Sequence, residues 1–113
     1  MSIQSVYIYA LADPLAVEGT ADSVYYVGMT ESPARRWSQH RSGSNFSDKF
    51  GLVTNVPLYE KWMKIRDRKL VPAMVILERT KDRSRERVWI RRLLRRGFNL
   101  LNKVHTSPQK VAA

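Results

Sequence analysis

The chain has no cysteine, which excludes a disulfide framework, a thiolate zinc site and a cysteine nucleophile. It also has no apolar run near the roughly 20 residues that a membrane helix needs. The N-terminus lacks the basic start and apolar core of a secretory signal. No internal repeat or low-complexity block interrupts its 113 residues. We therefore expect one folded domain in a reducing, cytoplasmic or nucleoid-associated setting, with no membrane partner.

Basic residues are missing from the first third of the chain and abundant in the rest. Residues 1–34 contain four acids and no Lys or Arg. Residues 35–80 carry ten basic and four acidic residues, and residues 81–113 carry ten and two. Plain solubility explains many charged surfaces, but a net charge of +10 that is rich in Arg suits a polyanion better. Nucleic acid is the expected partner.

Hydrophobic periodicity and turn residues predict seven short elements. Two strands, at residues 5–11 and 24–28, are expected to pair as a hairpin. Ser32 and Asp82 are expected to cap the first and third helices. A buried third strand is expected, and residues 43–55 are typical of a loop. Three helices are expected at residues 33–42, from residue 57 onward, and at residues 82–97. Two further strands are expected at residues 70–77 and 100–102. The order indicates a small α/β (α+β) fold, a mostly antiparallel sheet with an N-terminal hairpin, flanked by about three helices.

The third predicted helix carries one acid on its apolar side. At ~100° per residue, Trp89, Ile90, Leu93 and Leu94 share a face, and Glu86 projects into the middle of it. An acid that faces a core is unfavourable unless it is paired or binds a metal. Glu86 could interact with the helix dipole or pair with an Arg. It could equally hold a hard cation such as Mg²⁺, which keeps most of its waters. The helical pattern leaves both interpretations open.

Arg36 and His40 lie four residues apart on the first predicted helix and project together. Arg can stabilise the charge that develops on a phosphate, and His can accept or pass a proton near neutral pH. Taken in isolation, this pair is better explained as part of a solvated basic face. The pattern alone therefore assigns it no function.

Four tyrosines lie on the two hairpin strands. Strand alternation predicts that Tyr7 and Tyr9 share one face, whereas Tyr25 and Tyr26 face opposite sides. Aromatic side chains in hairpins usually stabilise cross-strand packing. A tyrosine that transfers protons is the less common alternative.

These elements in this order resemble the GIY-YIG nuclease family over residues 5–104, with 105–113 expected to be a flexible tail. The tripeptides 7–9 (Tyr-Ile-Tyr) and 26–28 (Tyr-Val-Gly) stand at the two motifs that name the family. Arg36 follows Tyr26 by ten residues, as the family's catalytic Arg does, and His40 stands where many members have His. The stretch from Glu86 to Asn102 looks like the family's metal-binding Glu helix and closing Asn.

Three departures from the family pattern are visible. Tyr7 replaces the first Gly, and the segment between Tyr9 and Tyr26 is longer than in typical members. Met29 stands where some relatives carry a Lys near the active tyrosines. The changes leave four residues of the family pattern in place, namely Tyr9, Tyr26, Arg36 and Glu86. We therefore expect catalysis to be retained.

The resemblance implies a metal-dependent endonuclease that hydrolyses DNA phosphodiester bonds with one Mg²⁺ (or Mn²⁺) and leaves a 5′-phosphate and a 3′-hydroxyl. It implies five catalytic residues: Tyr9, Tyr26, Arg36, His40 and Glu86. Glu86 would bind the metal, and Tyr9 would deprotonate the attacking water with help from the second tyrosine and the histidine. Because an unperturbed Tyr has a pKa of about 10, Arg36 and the metal would have to lower that of Tyr9. Gly28 and Asn102 are expected to be structural near the site.

Other basic residues are candidates for contacts with the nucleic-acid backbone, which give affinity without sequence choice. They are Arg35, Arg41, Lys61, Lys64, Arg66, Arg68, Lys69, Arg91, Arg92, Arg95 and Arg96. Duplex or branched DNA is the expected partner, and RNA stays open. Intrinsic sequence specificity is expected to be weak, or to be supplied by a homodimer or a separate targeting partner. The alternative function is a non-catalytic nucleic-acid-binding module, or an accessory interaction domain that keeps the fold.

Overall fold

Six elements follow one another in the computed structural model, which describes residues 4–44, 46 and 53–102. They are β1 (Val6–Ala12), β2 (Val24–Thr30), α1 (Pro33–Ser42), α2 (Val56–Asp67), β3 (Ala73–Thr80) and α3 (Arg85–Arg95). The small α+β fold is confirmed, with an N-terminal hairpin and three helices. The expected tail at 105–113, the domain end at 104 and much of the loop at 43–55 lie outside the described residues.

The three strands form one antiparallel sheet in the order β2-β1-β3. β1 is central because it is apolar on both faces, which is typical of a strand covered on both sides. One face carries Tyr9 and Leu11, which pack with Trp62 and Ile65 of α2. The other face carries Ile8, which packs with the α3 core. Helix α2 therefore covers one face of the sheet, where His40 of α1 also contacts Tyr9, and α3 covers the other face.

A β-bulge in β2 changes which side chains share a face. In the β1–β2 register Leu11 pairs with Tyr26 and Ala12 with Val24, which leaves Tyr25 as an extra residue. Both Tyr25 and Tyr26 consequently pack against the cluster that contains Tyr9. The prediction that Tyr25 and Tyr26 face opposite sides is wrong, because an inserted residue interrupts strand alternation.

The helix ends follow the expected stop residues. Gly43 ends α1 in the left-handed region with φ 79. At the end of α3, Gly97 has φ 94, and the N–H groups of Gly97 and Phe98 donate to the carbonyls of Leu94 and Leu93. These two bonds form a Schellman motif, which satisfies carbonyl groups that the last helical turn leaves unpaired.

The start of α3 differs from the prediction. The helix begins at Arg85, its N-cap position is Ser84, and no side chain caps it. Asp82 instead accepts hydrogen bonds from the Ser84 N–H (2.9 Å) and hydroxyl (2.6 Å), so its carboxylate orders the turn before the helix.

The third strand also differs from the prediction. It starts at Ala73, after Pro72, which has no N–H to donate to the ladder. It lies at the edge of the sheet, and Val75 (48%) and Ile76 (46%) are about half exposed. The expectation of a buried strand over 70–77 is therefore wrong in both position and burial.

Residues 100–102 form no strand. The Leu101 N–H donates to the Tyr25 carbonyl, and Asn102 continues the contact with β2 through its side chain. Since an amide side chain makes these last bonds, the segment follows β2 without joining the ladder. No helix in the described part of the chain is long and apolar enough to cross a membrane.

Candidate active site

A buried hydrogen bond joins the central strand to α1. The Tyr9 hydroxyl oxygen lies 2.7 Å from Nε2 of His40, and both side chains are almost fully buried. The Tyr26 ring contacts both, with centroids 6.3 Å from Tyr9 and 5.7 Å from His40. The sheet and the helix thus bring together three of the five predicted catalytic residues.

Gly28 allows the Tyr9 ring to lie where it does. The two residues are cross-strand partners in the β1–β2 ladder. A Cβ atom added at Gly28 would overlap the hydroxyl and Cζ of Tyr9 and would lie 2.8 Å from Cε2. Any side chain at this position would push the tyrosine ring off the strand. The structural role expected for Gly28 is therefore a close approach of ring to backbone.

Arg36 and Glu86 lie close enough to influence both tyrosines. Burial raises the pKa of Tyr9, the neighbouring Tyr26 and Glu86 raise it further, and Arg36 lowers it by charge and hydrogen bonding. Burial also raises the pKa of Tyr26, with Glu86 adding to the rise and Arg36 opposing it. The two remaining predicted catalytic residues are therefore at the same site.

The direction of the Tyr9 shift opposes the expectation that Arg36 would make this phenol acidic. Desolvation outweighs the guanidinium, so the chain alone keeps Tyr9 protonated at neutral pH. Burial, together with Arg36, lowers the pKa of His40 to about 4. A neutral His40 with its proton on Nδ1 can accept the Tyr9 proton at Nε2. The hydrogen bond therefore gives Tyr9 a proton acceptor in His40, while both pKa shifts favour the neutral pair.

Glu86 lies in the first turn of α3 and is partly buried, one turn before the buried Ile90. Among the described residues, no group of three or more His, Asp or Glu side chains could hold a metal together. A cation at this site would therefore take one protein carboxylate and complete its shell with water. That donor set fits Mg²⁺, which retains several waters and needs few protein ligands.

A family model for the GIY-YIG catalytic domain matches residues 5–99. The chain belongs to the GIY-YIG family. This is generally a family of nucleases that act on DNA, so membership implies DNA cleavage in general terms. Neither the curated proteins nor the solved structures that were compared contain a match to this chain.

Beside Arg36 of the GIY-YIG site lies a cleft of about 420 Å³. Arg36 and Arg35 line it, as do Gln39 and Arg83, two residues that sequence reasoning missed. Gln39 could have been found, because it lies three residues after Arg36 on the same helix. Arg83 could not, because only the folded chain brings the β3–α3 turn to α1.

Asn102 attaches the segment after α3 to β2. Its buried side chain accepts from the Val27 N–H at 3.0 Å and donates to the Val27 carbonyl at 2.6 Å. Both bonds are therefore made to the β2 residue that lies between Tyr26 and Gly28. The amide thereby replaces a neighbouring strand for one residue and holds β2 beside the site.

The candidate phosphate contacts do not form a single surface. Arg41 lies on α1, stacked on Trp37, and Lys64 lies exposed on α2. On the opposite side of the sheet, the exposed arginines of α3 line a separate depression of about 290 Å³. Those that line it are Arg91, Arg92 and Arg95, and Arg96 follows at the C-cap. The exposed Arg66, Arg68 and Lys69 lie at the end of α2 or just after it.

Lys61 differs from the other candidates. Its ammonium group lies 2.8 Å from the Asp13 carboxylate, and only 20% of the Lys61 side chain is exposed. The same group lies 5.4 Å from the centroid of the Tyr25 ring. Lys61 therefore fixes α2 to the end of β1, which leaves it poorly placed for DNA.

Proposed function

We propose that this GIY-YIG domain is an active, metal-dependent endonuclease that cuts duplex or branched DNA and leaves a 5′-phosphate and a 3′-hydroxyl. The observation that carries the proposal is the buried 2.7 Å hydrogen bond between Tyr9 and His40 beside Arg36. Two proton-transfer groups that are buried together beside a guanidinium, with pKa values shifted by burial, are typical of an active site.

The Tyr9–His40 pair would act as a proton relay. The attacking water gives a proton to the Tyr9 oxygen while the phenolic proton passes to Nε2 of His40. His40 with a pKa of about 4 is a weak base in the free protein. A DNA phosphate beside Arg36 would add a negative charge that favours the imidazolium, which raises this pKa when substrate is bound.

Arg36 would bind the scissile phosphate, and Glu86 would bind the metal. The Arg36 guanidinium can donate hydrogen bonds to the pentacovalent phosphate, whose extra negative charge strengthens them relative to the ground state. Glu86 would hold the divalent ion, which acts as a Lewis acid on the phosphate oxygens when bound. Tyr26, whose ring contacts both members of the relay, would keep bulk water away from Tyr9 and support the proton transfer.

Cleavage of plasmid and branched DNA with and without Mg²⁺ tests the proposal, in the parent chain and in Glu86→Ala. Glu60→Ala is the matched control, because it removes an exposed acid from α2 that does not line the cleft. We expect the parent and the control to cut only with Mg²⁺ or Mn²⁺, and Glu86→Ala to be inactive. The new ends should accept a labelled phosphate only after phosphatase treatment.

Two results would contradict the proposal. One is the absence of cleavage of any DNA in Mg²⁺ or Mn²⁺ by a chain that still binds DNA, which is the behaviour of a non-catalytic binding module. The other is cleavage by Glu86→Ala at the parental rate.

A further inference from the structure

The cleft beside Arg36 has more positive charge than one scissile phosphate requires. Three guanidinium groups, from Arg35, Arg36 and Arg83, line it together with one carboxylate, that of Glu31. In the proposed reaction, Arg36 alone contacts the scissile phosphate. The remaining charges come from two separate parts of the chain, the β2–α1 connection with α1, and the β3–α3 turn.

Arg83 and Glu31 form an ion pair at the cleft. Nη2 of Arg83 lies 2.6 Å from Oε2 of Glu31, and the two side chains are 56% and 47% exposed. An ion pair this open to water contributes little to stability. Arg83 can therefore exchange its carboxylate partner for another oxyanion without disturbing the fold.

The backbone that carries Arg83 is well ordered by its neighbours. Asp82 accepts hydrogen bonds from the N–H and the hydroxyl of Ser84, so Arg83 lies between two residues of a closed turn. The same turn leads directly into α3, and Glu86 follows three residues later. Arg83 consequently has a fixed position relative to the proposed metal ligand, although its side chain is exposed.

We propose that this cleft binds a DNA backbone phosphate next to the scissile one, and that Arg83 exchanges Glu31 for that phosphate when DNA binds. The proposal rests on the proposed function for the place of the scissile phosphate beside Arg36. A phosphodiester can accept two parallel N–H bonds from one guanidinium and releases counterions when it is neutralised. Glu31 competes with the phosphate for Arg83, so it weakens binding.

A purely structural ion pair makes a different prediction. If the pair only joined the two turns that lead into α1 and α3, loss of either partner would harm DNA binding in the same direction. In our proposal the two losses have opposite signs. Glu31 is therefore the residue that separates the two explanations.

Binding is measured by fluorescence anisotropy with a short labelled DNA duplex in EDTA. The variants are Glu31→Gln, Arg83→Gln and the double variant. Glu60→Gln and Lys81→Gln are matched controls, since each makes the same charge change at an exposed position that does not line the cleft. Thermal melting of each variant checks that the fold is retained.

We expect Arg83→Gln to weaken binding about tenfold. It should also reduce the slope of log Kd against log salt by about 0.9, and Lys81→Gln should do neither. Glu31→Gln should tighten binding several-fold beyond Glu60→Gln, and this gain should disappear in the double variant. The proposal is overturned if Glu31→Gln weakens binding or matches its control, if Arg83→Gln matches Lys81→Gln, or if the chain binds no DNA.

The readout separates this inference from the proposed function. Binding in EDTA does not depend on hydrolysis, so the sign of the Glu31→Gln effect is interpretable even if the chain never cuts DNA. Conversely, Mg²⁺-dependent cleavage combined with an unchanged Glu31→Gln affinity would retain the nuclease and remove the second phosphate site.

Discussion

Tyr9 and His40 have opposite pKa shifts with the same main cause. Burial disfavours the charged form of each group, so it raises the pKa of the phenol and lowers that of the imidazole to about 4. Both groups are therefore neutral at pH 7 and joined by one hydrogen bond. A neutral pair can be buried without an unpaired charge, yet it can still pass a proton when a phosphate arrives.

The buried His40 should make the fold sensitive to acid. Its pKa is about 4 in the folded chain and 6.5 when unperturbed, so between these pH values the unfolded chain binds more protons. Stability should fall as the pH drops from about 6.5 to about 4, by about 3 kcal/mol at about 1.4 kcal/mol per pKa unit. Above pH 7 this contribution should be constant.

Urea denaturation across this pH range checks the prediction, with His40→Gln as the comparison. The variant cannot titrate at this position, so its stability should change with pH less steeply than that of the parent. Equal slopes in the two chains would contradict the burial of a neutral His40.

At the scale of the strands and helices, much of the fold could be predicted from local pattern. The bounds of α1 follow from Pro33 and Gly43, and the apolar face of α2 follows from its periodicity. The bulge at Tyr25 could not be predicted, since nothing in a run of β-branched and aromatic residues marks where an extra residue enters the ladder. The edge position of β3 is likewise a property of the assembled sheet.

The site shows the same division between local and long-range information. Arg36 and His40 could be paired from helical spacing, whereas the family motif was needed to bring Tyr9 and Glu86 to them. Lys61 could not be recognised as structural, because its partner Asp13 lies 48 residues away in the chain.

The contact between Asn102 and β2 provides a test at the level of elements. Asn102→Ala should leave the Val27 N–H and carbonyl without partners in a buried position, which should destabilise the fold by about 2 to 3 kcal/mol. Asn99→Ala is the matched control, because its amide makes one exposed hydrogen bond, to Asp22. It should change stability by less than about 0.5 kcal/mol.

Urea denaturation of both variants measures the difference. If Asn102→Ala were no less stable than Asn99→Ala, the C-terminal segment would not depend on this amide for its attachment to β2.

On the scale of the whole molecule, the net charge is +10, and the described arginines lie on two sides of the sheet. The cleft and α1 lie on the side of the Tyr9 relay, and the arginines of α3 project from the other side. A positive field of this size accelerates encounter with DNA from any direction. Close contact, however, should form only around the cleft.

DNA binding should therefore depend strongly on salt, and only part of the basic surface should account for it. We expect a log–log slope of several units, at about −0.9 per phosphate neutralised on duplex DNA. Combined substitution of Arg91, Arg92 and Arg95 by Gln should leave this slope nearly unchanged, whereas Arg35→Gln at the cleft should reduce it.

Anisotropy titrations over a range of salt concentrations measure these slopes. Binding by the parent that barely changes with salt would contradict the phosphate contacts. A large loss of slope in the α3 variant would show that DNA reaches the other side of the sheet.

The most direct test of the proposed active site is the single-turnover rate of DNA cleavage by Tyr9→Phe in saturating Mg²⁺. Tyr25→Phe is the matched control, because it also removes a hydroxyl from a buried tyrosine of the same cluster. Without the phenolic proton the relay to His40 is broken, so Tyr9→Phe should lose about 100-fold or more in rate. Tyr25→Phe should stay within a few-fold of the parent. Cleavage by Tyr9→Phe at the parental rate would contradict the account.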